Sequence, residues 1–360
     1  MIEHHSTASN RKRIFLEYTS QCNAKPLCLH CQGAPFKYSA RLEEKLLNEV
    51  IHLAEREKKQ IVLTGGDPIV YPRVVKAIEK KGIKYTLMTN GLHAIKGIKP
   101  TKVIVSYDSV DIRPFTTTKI LSNAISYDSP LTVTTCMSSG TNIIGIYETL
   151  KKEASNISHW RISLINESGN AINNKSLIPD VDSAFSELAK LLKIYMKEKE
   201  KSFKLSIKGC WYDAITQGTI EENKIKPNEY RSLVGNPCTS CSGQSTIAIN
   251  AQGEVQYCPL SSEKIGVPSD IPSSYNSINF RNKFELKFQE WGECINCRYF
   301  LLCGGGCPAK AQESSGNWTG RDELYCQIFK SWERHILPLV DEETRDKLKS
   351  YINLEGLVYD

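Results

Sequence analysis

The chain has 360 residues, 40% of them hydrophobic, and a net charge of +6 from 46 basic and 40 acidic side chains. That length suits one large or two ordinary domains with a normal core, and the mild charge, with no basic block, excludes a nucleic-acid arm. No window nears the ~18 consecutive apolar residues of a membrane span, and the start lacks a signal peptide's charged-then-apolar layout, so a cytoplasmic protein is expected.

Ile14 to Tyr18 is an apolar run that reads as a first strand. Behind it stands Cys22-Asn-Ala-Lys-Pro-Leu-Cys28-Leu-His-Cys31, with three thiols in one short loop. A closed structural zinc site takes four ligands. Three thiolates on a four-iron cluster leave one iron open, and close-set loop cysteines are how such clusters are held. Glu43 to Glu57 carries Leu46, Leu47, Val50, Ile51, Leu53 and Ala54 at helical spacing. Ile61 to Thr64 is a short strand that runs into Gly65-Gly66-Asp67-Pro68, and a helix follows from Val74 to Lys81. Tyr85 to Thr89, Val103 to Asp108, Leu131 to Cys136 and Trp160 to Leu164 are further strands, with a helix at Ile146 to Ala154.

Strands alternating with helices predict parallel βαβ units with right-handed crossovers. Six of them make an α/β fold, a partial TIM-like (β/α)6 barrel, whose ligands gather at the carboxyl ends of the strands. At those ends fall the cysteine loop, the Gly65-Gly66 turn with Asp67, and Asn90, Ser106 and Asp108. Glycines let backbone approach a ligand closely, and a carboxylate beside them can pair with an ammonium. Asp180 to Lys201 is one long helical pattern, and weaker periodicity follows it up to residue 237. Cys136 and Cys210 stand alone and read as small buried hydrophobes.

The second half is organised by cysteines, of which the chain has 13. Disulfide scaffolds are short secreted chains, whereas clustering in an unexported chain favours metal. Cys238-x2-Cys241 comes first, then a tight hairpin, Ser245 to Asn250 and Glu254 to Tyr257 around Ala251-Gln252-Gly253, ending at Cys258. A helix near Phe280 to Trp291 precedes Cys294-x2-Cys297-x5-Cys303-x3-Cys307, and Cys326 comes last. By spacing alone these cysteines make either two zinc sites or two four-iron clusters. Gly304-Gly305-Gly306 allows a tight backbone path past them. The tail from Cys326 to Leu354 reads as an amphipathic closing helix. The expected division is a barrel over 1–205, a bridge over 206–237 and a cysteine domain over 238–360.

Together these motifs resemble the radical S-adenosylmethionine (SAM) enzymes. That family's loop is usually Cys-x3-Cys-x2-Cys with an aromatic before the last Cys, and here Cys22-x5-Cys28-x2-Cys31 has a longer first gap and His30 in the aromatic place. Gly65-Gly66-Asp67-Pro68 is similar to the family's Gly-Gly-Glu-Pro, which holds the amino group of SAM, with Asp for Glu. Thr89-Asn90-Gly91 and Ser106-Tyr107-Asp108 match strand ends that approach the methionine and the ribose. The resemblance puts His30 near the adenine. Arg161 is a further candidate contact, with pairing to a neighbouring carboxylate as its alternative. The second half, Cys241-x11-Gly253-x4-Cys258 through Cys326, resembles the SPASM domain of radical SAM peptide maturases.

The resemblance implies three [4Fe-4S] clusters. Cys22, Cys28 and Cys31 would hold the one that binds SAM. Cys241, Cys258 and Cys307, with Cys238 as fourth ligand, would hold a second, and Cys294, Cys297, Cys303 and Cys326 a third. The implied activity is that of an oxidoreductase: cleavage of SAM, hydrogen abstraction by a 5′-deoxyadenosyl radical, and an electron accepted by the auxiliary clusters. The leading expectation is a maturase that cross-links side chains of a ribosomal precursor peptide by C–C, ether or thioether bonds. Formylglycine formation on a sulfatase is the runner-up, although Pro259 follows Cys258 where that family has an Asp base. Small-molecule dehydrogenation is a third option. A non-catalytic iron–sulfur electron-transfer protein would have no use for the three-thiol loop or Gly65-Gly66-Asp67-Pro68. Expected partners are the peptide and a reductant such as flavodoxin or ferredoxin, without nucleic acid or membrane. The barrel begins at once, which leaves leader binding, where there is any, to a separate protein or to the barrel face.

Overall fold

The computed structural model of the chain describes residues 13–31, 40–153, 156–207, 246–256, 259–260, 263–271, 292–294, 296–303, 305–342, 345–346 and 352. Cys210, Cys238, Cys241, Cys258, Gly304, the expected helix near 280–291 and most of the expected bridge lie outside these residues.

Among the described residues, ten strands form one sheet: β1 (Arg13–Thr19), β2 (Gln60–Gly65), β3 (Tyr85–Thr89), β4 (Lys102–Ser106), β5 (Leu131–Met137), β6 (Ile157–Leu164), β7 (Lys204–Ile207), β8 (Thr246–Ile249), β9 (Val255–Gln256) and β10 (Lys264–Gly266). Their order is β10-β9-β8-β1-β2-β3-β4-β5-β6-β7. From β8 to β7 every pairing is parallel, and only β9 and β10 run antiparallel. The mixed α/β architecture with its parallel sheet is the expected one.

The helices are α1 (Glu44–Arg56), α2 (Pro72–Lys80), α3 (Thr118–Ile125), α4 (Ile143–Lys152), α5 (Val181–Lys197), α6 (Phe300–Cys303), α7 (Pro308–Ser315) and α8 (Glu323–His335). Strand alternation decides what they cover. Ile14 and Leu16 of β1, Ile61 and Leu63 of β2, and Val103 and Val105 of β4 are fully buried in the core shared with the helices. So are Val50 of α1, Val74 and Ile78 of α2, and Leu188 and Leu191 of α5. Tyr147 of α4 stacks on Trp160 of β6 with centroids 6.0 Å apart, and Phe203 meets Trp160 edge-on at 6.1 Å. These rings fix α4 and the strand pair β6–β7 as one packed unit.

Three features depart from the sequence reading. The stretch of weak periodicity begins with a strand, β7, which pairs with β6. The hairpin of the cysteine-rich half, β8 and β9, turns at Gly253 as expected, but β8 also pairs in parallel with β1 and so joins the barrel sheet. The closing helix is not continuous to Leu354: α8 ends at His335, a 3₁₀ turn, Leu337–Leu339, interrupts it, and helical residues recur at Glu342, Arg345, Asp346 and Ile352. Pro338 is the reason, since it has no N–H to donate and its ring clashes with the preceding turn. α8 packs on α5, where Ser331 Oγ and Arg334 Nη1 both reach Asp182 Oδ1, at 3.2 and 2.8 Å.

The inner face of β6 carries a pH probe. His159 Nε2 lies 2.7 Å from Ser206 Oγ on β7. Burial, with Arg161, Lys102 and Lys204 nearby, pushes the His159 pKa down to about 4, against an ordinary value of about 6.5. The unfolded chain therefore takes up a proton between those values that the folded chain refuses. The stability His159 contributes is complete above about pH 6.5 and drains away as pH falls to about 4. In His159→Gln this part of the acid limb is expected to flatten, as read from urea melts across that range.

Candidate active site

A cavity of about 410 Å³ opens at the carboxyl ends of the parallel strands. The barrel lines it with Thr64, Met88, Ile104, Ser106, Thr134 and Ser163 from strand tips. The cysteine-rich half closes over it with Leu260, Cys307, Lys310, Asp322, Leu324, Tyr325 and Ile328. The size is within the ordinary range for small-molecule sites.

Cys22, Cys28 and Cys31 all reach this cavity. The loop that carries them is held from several sides. Leu29 N donates to Ile112 O at 3.0 Å, and Asn170 N donates to Cys31 O at 3.0 Å. Asn174 Nδ2 donates to Leu29 O at 3.3 Å. Asn90 Nδ2, from the end of β3, donates to Asn23 Oδ1 at 2.7 Å and approaches Cys22 Sγ at 3.4 Å. Burial raises the Cys22 thiol and pushes Cys28 up to about 11, while Arg113 pulls Cys28 the other way. All three open onto the one cavity, and Cys31 N donates to Cys28 O at 3.1 Å.

The Gly65-Gly66 turn is a contact between backbones. Gly66 N donates to Thr19 O at 2.6 Å and Asp67 N to Gln21 O at 2.8 Å. Asp67 itself is fully buried and does not line the cavity. Its carboxylate accepts from Ile69 N at 3.1 Å, Thr89 Oγ1 at 2.9 Å and Asn90 N at 2.8 Å. The short side chain thus ties the turn to the end of β3. Burial raises its pKa against these three donors. Asp67→Ala would strand all three in a buried place, and the expected cost is about 3 kcal/mol of stability. Asp67→Asn, which keeps one acceptor oxygen, is expected to lose less in the same denaturant titration.

Asp108, past β4, organises the far wall. Its Oδ1 accepts from Cys136 N at 2.7 Å and its Oδ2 from Arg113 Nε at 2.7 Å. His30 Nε2 stands 3.5 Å from the same Oδ2. Burial holds the His30 imidazole below its ordinary pKa, against the pull of Asp108. Burial alone would weaken the Arg113 cation, but Asp108 and the nearby thiols hold its pKa above the usual guanidinium value. A buried cation among three thiols suits an anionic thiolate-bound cluster.

Cys294, Cys297, Cys303 and Cys326, none of them in the cavity lining, form a second group. Burial raises the Cys303 thiol, and the neighbouring Cys326, Cys297 and Cys294 raise it further. Cys307 belongs to a different place: its N–H is held by Asp322 Oδ2 at 3.0 Å, and it faces the barrel cavity. Among the described residues no three His, Cys, Asp or Glu side chains converge closely enough to hold a single metal ion.

No protein-family profile matches the sequence, and no curated protein matches it. Solved structures do. SuiB of Streptococcus suis bound to S-adenosylmethionine is similar with 14% identity and a TM-score of 0.62, over 88% of this chain and 77% of SuiB. anSMEcpe with bound AdoMet is similar with 17% identity and a TM-score of 0.66, over 95% of this chain and 100% of anSMEcpe. The same protein with AdoMet and Cp18Cys peptide gives 17% and 0.64. The chain has the radical SAM fold.

Within the radical SAM fold, the structure brings His30, Gly65, Gly66, Asn90, Ser106 and Asp108 to the cavity with the three loop cysteines and Cys307. Asp67, Pro68 and Arg161 are not part of its lining. Cys136, expected as a buried hydrophobe, is half-buried and lines the cavity. Arg113, Asn166, Lys310, Asp322 and Tyr325 are additions that sequence reasoning missed. Arg113 had a readable signal, a lone cation in a loop directly after a strand end. Tyr325 adjoins Cys326 and had only that adjacency.

Proposed function

We propose that this chain is a radical SAM maturase that oxidises a peptide, joining side chains of a ribosomal precursor by a C–C, ether or thioether bond. One observation carries the reading: Cys22, Cys28 and Cys31 open onto the same cavity as Gly65, Gly66 and Cys307. When bound there, a [4Fe-4S] cluster with SAM supplies a carbon radical that removes a hydrogen atom from the substrate. The chain's own residues do the rest. The three thiols hold the cluster, and Arg113 balances its charge. Gly65 and Gly66 let the turn close on the end of β1 and leave room for the methionine end, while Ser106 and Asp108 offer ribose contacts. Asp108 also fixes His30 on the adenine side. The cap of Cys307, Asp322, Leu324, Tyr325 and Ile328 keeps water from the radical. Cys294, Cys297, Cys303 and Cys326 would hold one auxiliary cluster, and Cys307 would contribute to the other with Cys238, Cys241 and Cys258.

Peptide-bound neighbours support this substrate class, since SuiB is solved with precursor peptide SuiA and anSMEcpe with the Cp18Cys peptide. A second reading, formylglycine formation at one Cys or Ser, draws on the fuller match to anSMEcpe. Pro259 beside Cys258 weighs against it. No helix among the described residues is long and apolar enough to cross a membrane. The test is anaerobic co-expression with short peptides encoded beside the gene, followed by intact mass. A loss of ~2 mass units per bond, one pair of hydrogens, is the expected result. An unchanged peptide alongside an oxidised sulfatase fragment would replace the first reading by the second.

A further inference from the structure

Below the cavity, the inner face of the sheet carries charge that the proposed reaction does not use. Ile104 and Ser106 of β4, Thr134 of β5 and Ser163 of β6 line the cavity. Strand alternation puts Lys102, His159 and Arg161 on that same side. In register, Thr134 stands beside Arg161 and Arg161 beside Ser206, while Thr132 stands beside His159 and His159 beside Lys204. Arg161 and Lys204 are exposed, and neither has a hydrogen-bond or ion-pair partner among the described residues. Arg161 and Lys204 thus flank His159 across the β6–β7 pair, and with Lys102 they add to burial in disfavouring its protonation. No described inner-face side chain of β4, β5, β6 or β7 is a carboxylate. On β1 the inner face adds Arg13 and one acid, Glu17, which is half-buried and lies in register with Thr64, away from this wall.

Solvated charges on a protein surface usually come mixed in sign. A one-signed set on the concave side of a sheet, next to a reaction cavity, focuses its field on whatever enters. We propose that the inner wall of β6 and β7 binds an acidic segment of the peptide substrate, with Arg161 as its anchor. The identity of the occupant rests on the maturase reading. Arg161 is two residues below Ser163 on β6, about 7 Å along the strand. An extended peptide on this wall would therefore carry its carboxylate about two positions from the residue in the cavity. Arg161 is then a specificity residue, through bidentate hydrogen bonds to that carboxylate.

The test uses the full chain and fluorescein-labelled decapeptides, one rich in Asp and Glu, one in Ser and Gly, one in Lys, read by anisotropy without SAM. The acidic peptide is expected to bind at least about tenfold tighter than the neutral one, less so at high salt. Arg161→Glu with Lys204→Glu is expected to lose about tenfold. Lys76→Glu with Lys80→Glu makes the same charge change on the exposed side of α2 and is expected to lose less than about twofold. Equal losses in the two pairs, or no preference among the peptides, would overturn the proposal, because the attraction would then belong to the +6 chain as a whole. Thermal melts report folding, and Arg161→Gln with Lys204→Gln replaces the charge reversal where that variant melts early. Failure of the maturase reading shows separately, as wild-type protein that makes no 5′-deoxyadenosine.

Discussion

Replacing Cys22, Cys28 and Cys31 with alanine is expected to abolish 5′-deoxyadenosine formation while leaving most of the iron in place. Anaerobically reconstituted wild type should carry about twelve irons and the triple variant about eight, one four-iron cluster fewer. The loop's own anchors are backbone groups of Leu29 and Cys31 and the side chain of Asn90, none of which the substitutions remove. The barrel should therefore fold, and its melting curve without iron should stay near that of wild type. Two results would count against the site as assigned. One is SAM cleavage that survives the triple substitution. The other is a zinc count above one per chain in the reconstituted protein, which would turn the second cysteine set into zinc ligands.

Gly66→Ala is expected to be the most damaging single substitution of those considered. A Cβ at Gly66 would meet Gln21 O at 2.1 Å, Gln21 C at 2.3 Å and Ser20 O at 2.7 Å. All three atoms are backbone, so no side chain can swing away. Relief requires the β1 end to move off the turn, and that end leads directly into Cys22. Overpacking of this kind costs about 3 kcal/mol or more. Gly65→Ala adds a second difficulty, since its φ of +143° is one that L side chains rarely adopt, and its Cβ would lie 2.3 Å from Thr19 O. In both variants stability and SAM binding should fall together, by chemical denaturation and by calorimetric titration. A variant that melts like wild type yet binds no SAM would show the glycine acting on the ligand directly and not through β1.

The chemistry-bearing loops were legible because a parallel barrel concentrates them at one place. Once Ile14 to Tyr18, Ile61 to Thr64 and Tyr85 to Thr89 are read as strands, Cys22, Gly66 and Asn90 must sit at the same rim. α1, α2 and α5 fell close to their expected spans, because buried Leu, Val and Ile at helical spacing cover a sheet. The role of Asp67 was harder to see. A carboxylate after two glycines reads as a ligand for an ammonium, yet three donors of its own chain claim it, and only coordinates show which partner is nearer. Arg113 was missed for a related reason, since its burial depends on its pairing with Asp108, which only the fold brings about. β7 escaped notice because Lys204 to Ile207 is short and follows a run of lysines. The end of α8 was readable: Pro338 stands in the sequence, and the amphipathic pattern beyond it outweighed a stronger local signal.

The pairing of β8 with β1 has a consequence for how this molecule comes to exist. Arg13 is among the first described residues to leave the ribosome, and its partner Thr246 follows 233 positions later. For most of synthesis one long flank of β1 offers unpaired amides and carbonyls to any passing chain, a template for aggregation. Contacts of such wide separation are slow to form. Production of the protein should therefore reward conditions that shelter nascent chains, and severing it between its halves would not yield a self-sufficient barrel. What reads in the sequence as an appended cysteine module supplies the strand that covers the flank of the barrel's first one.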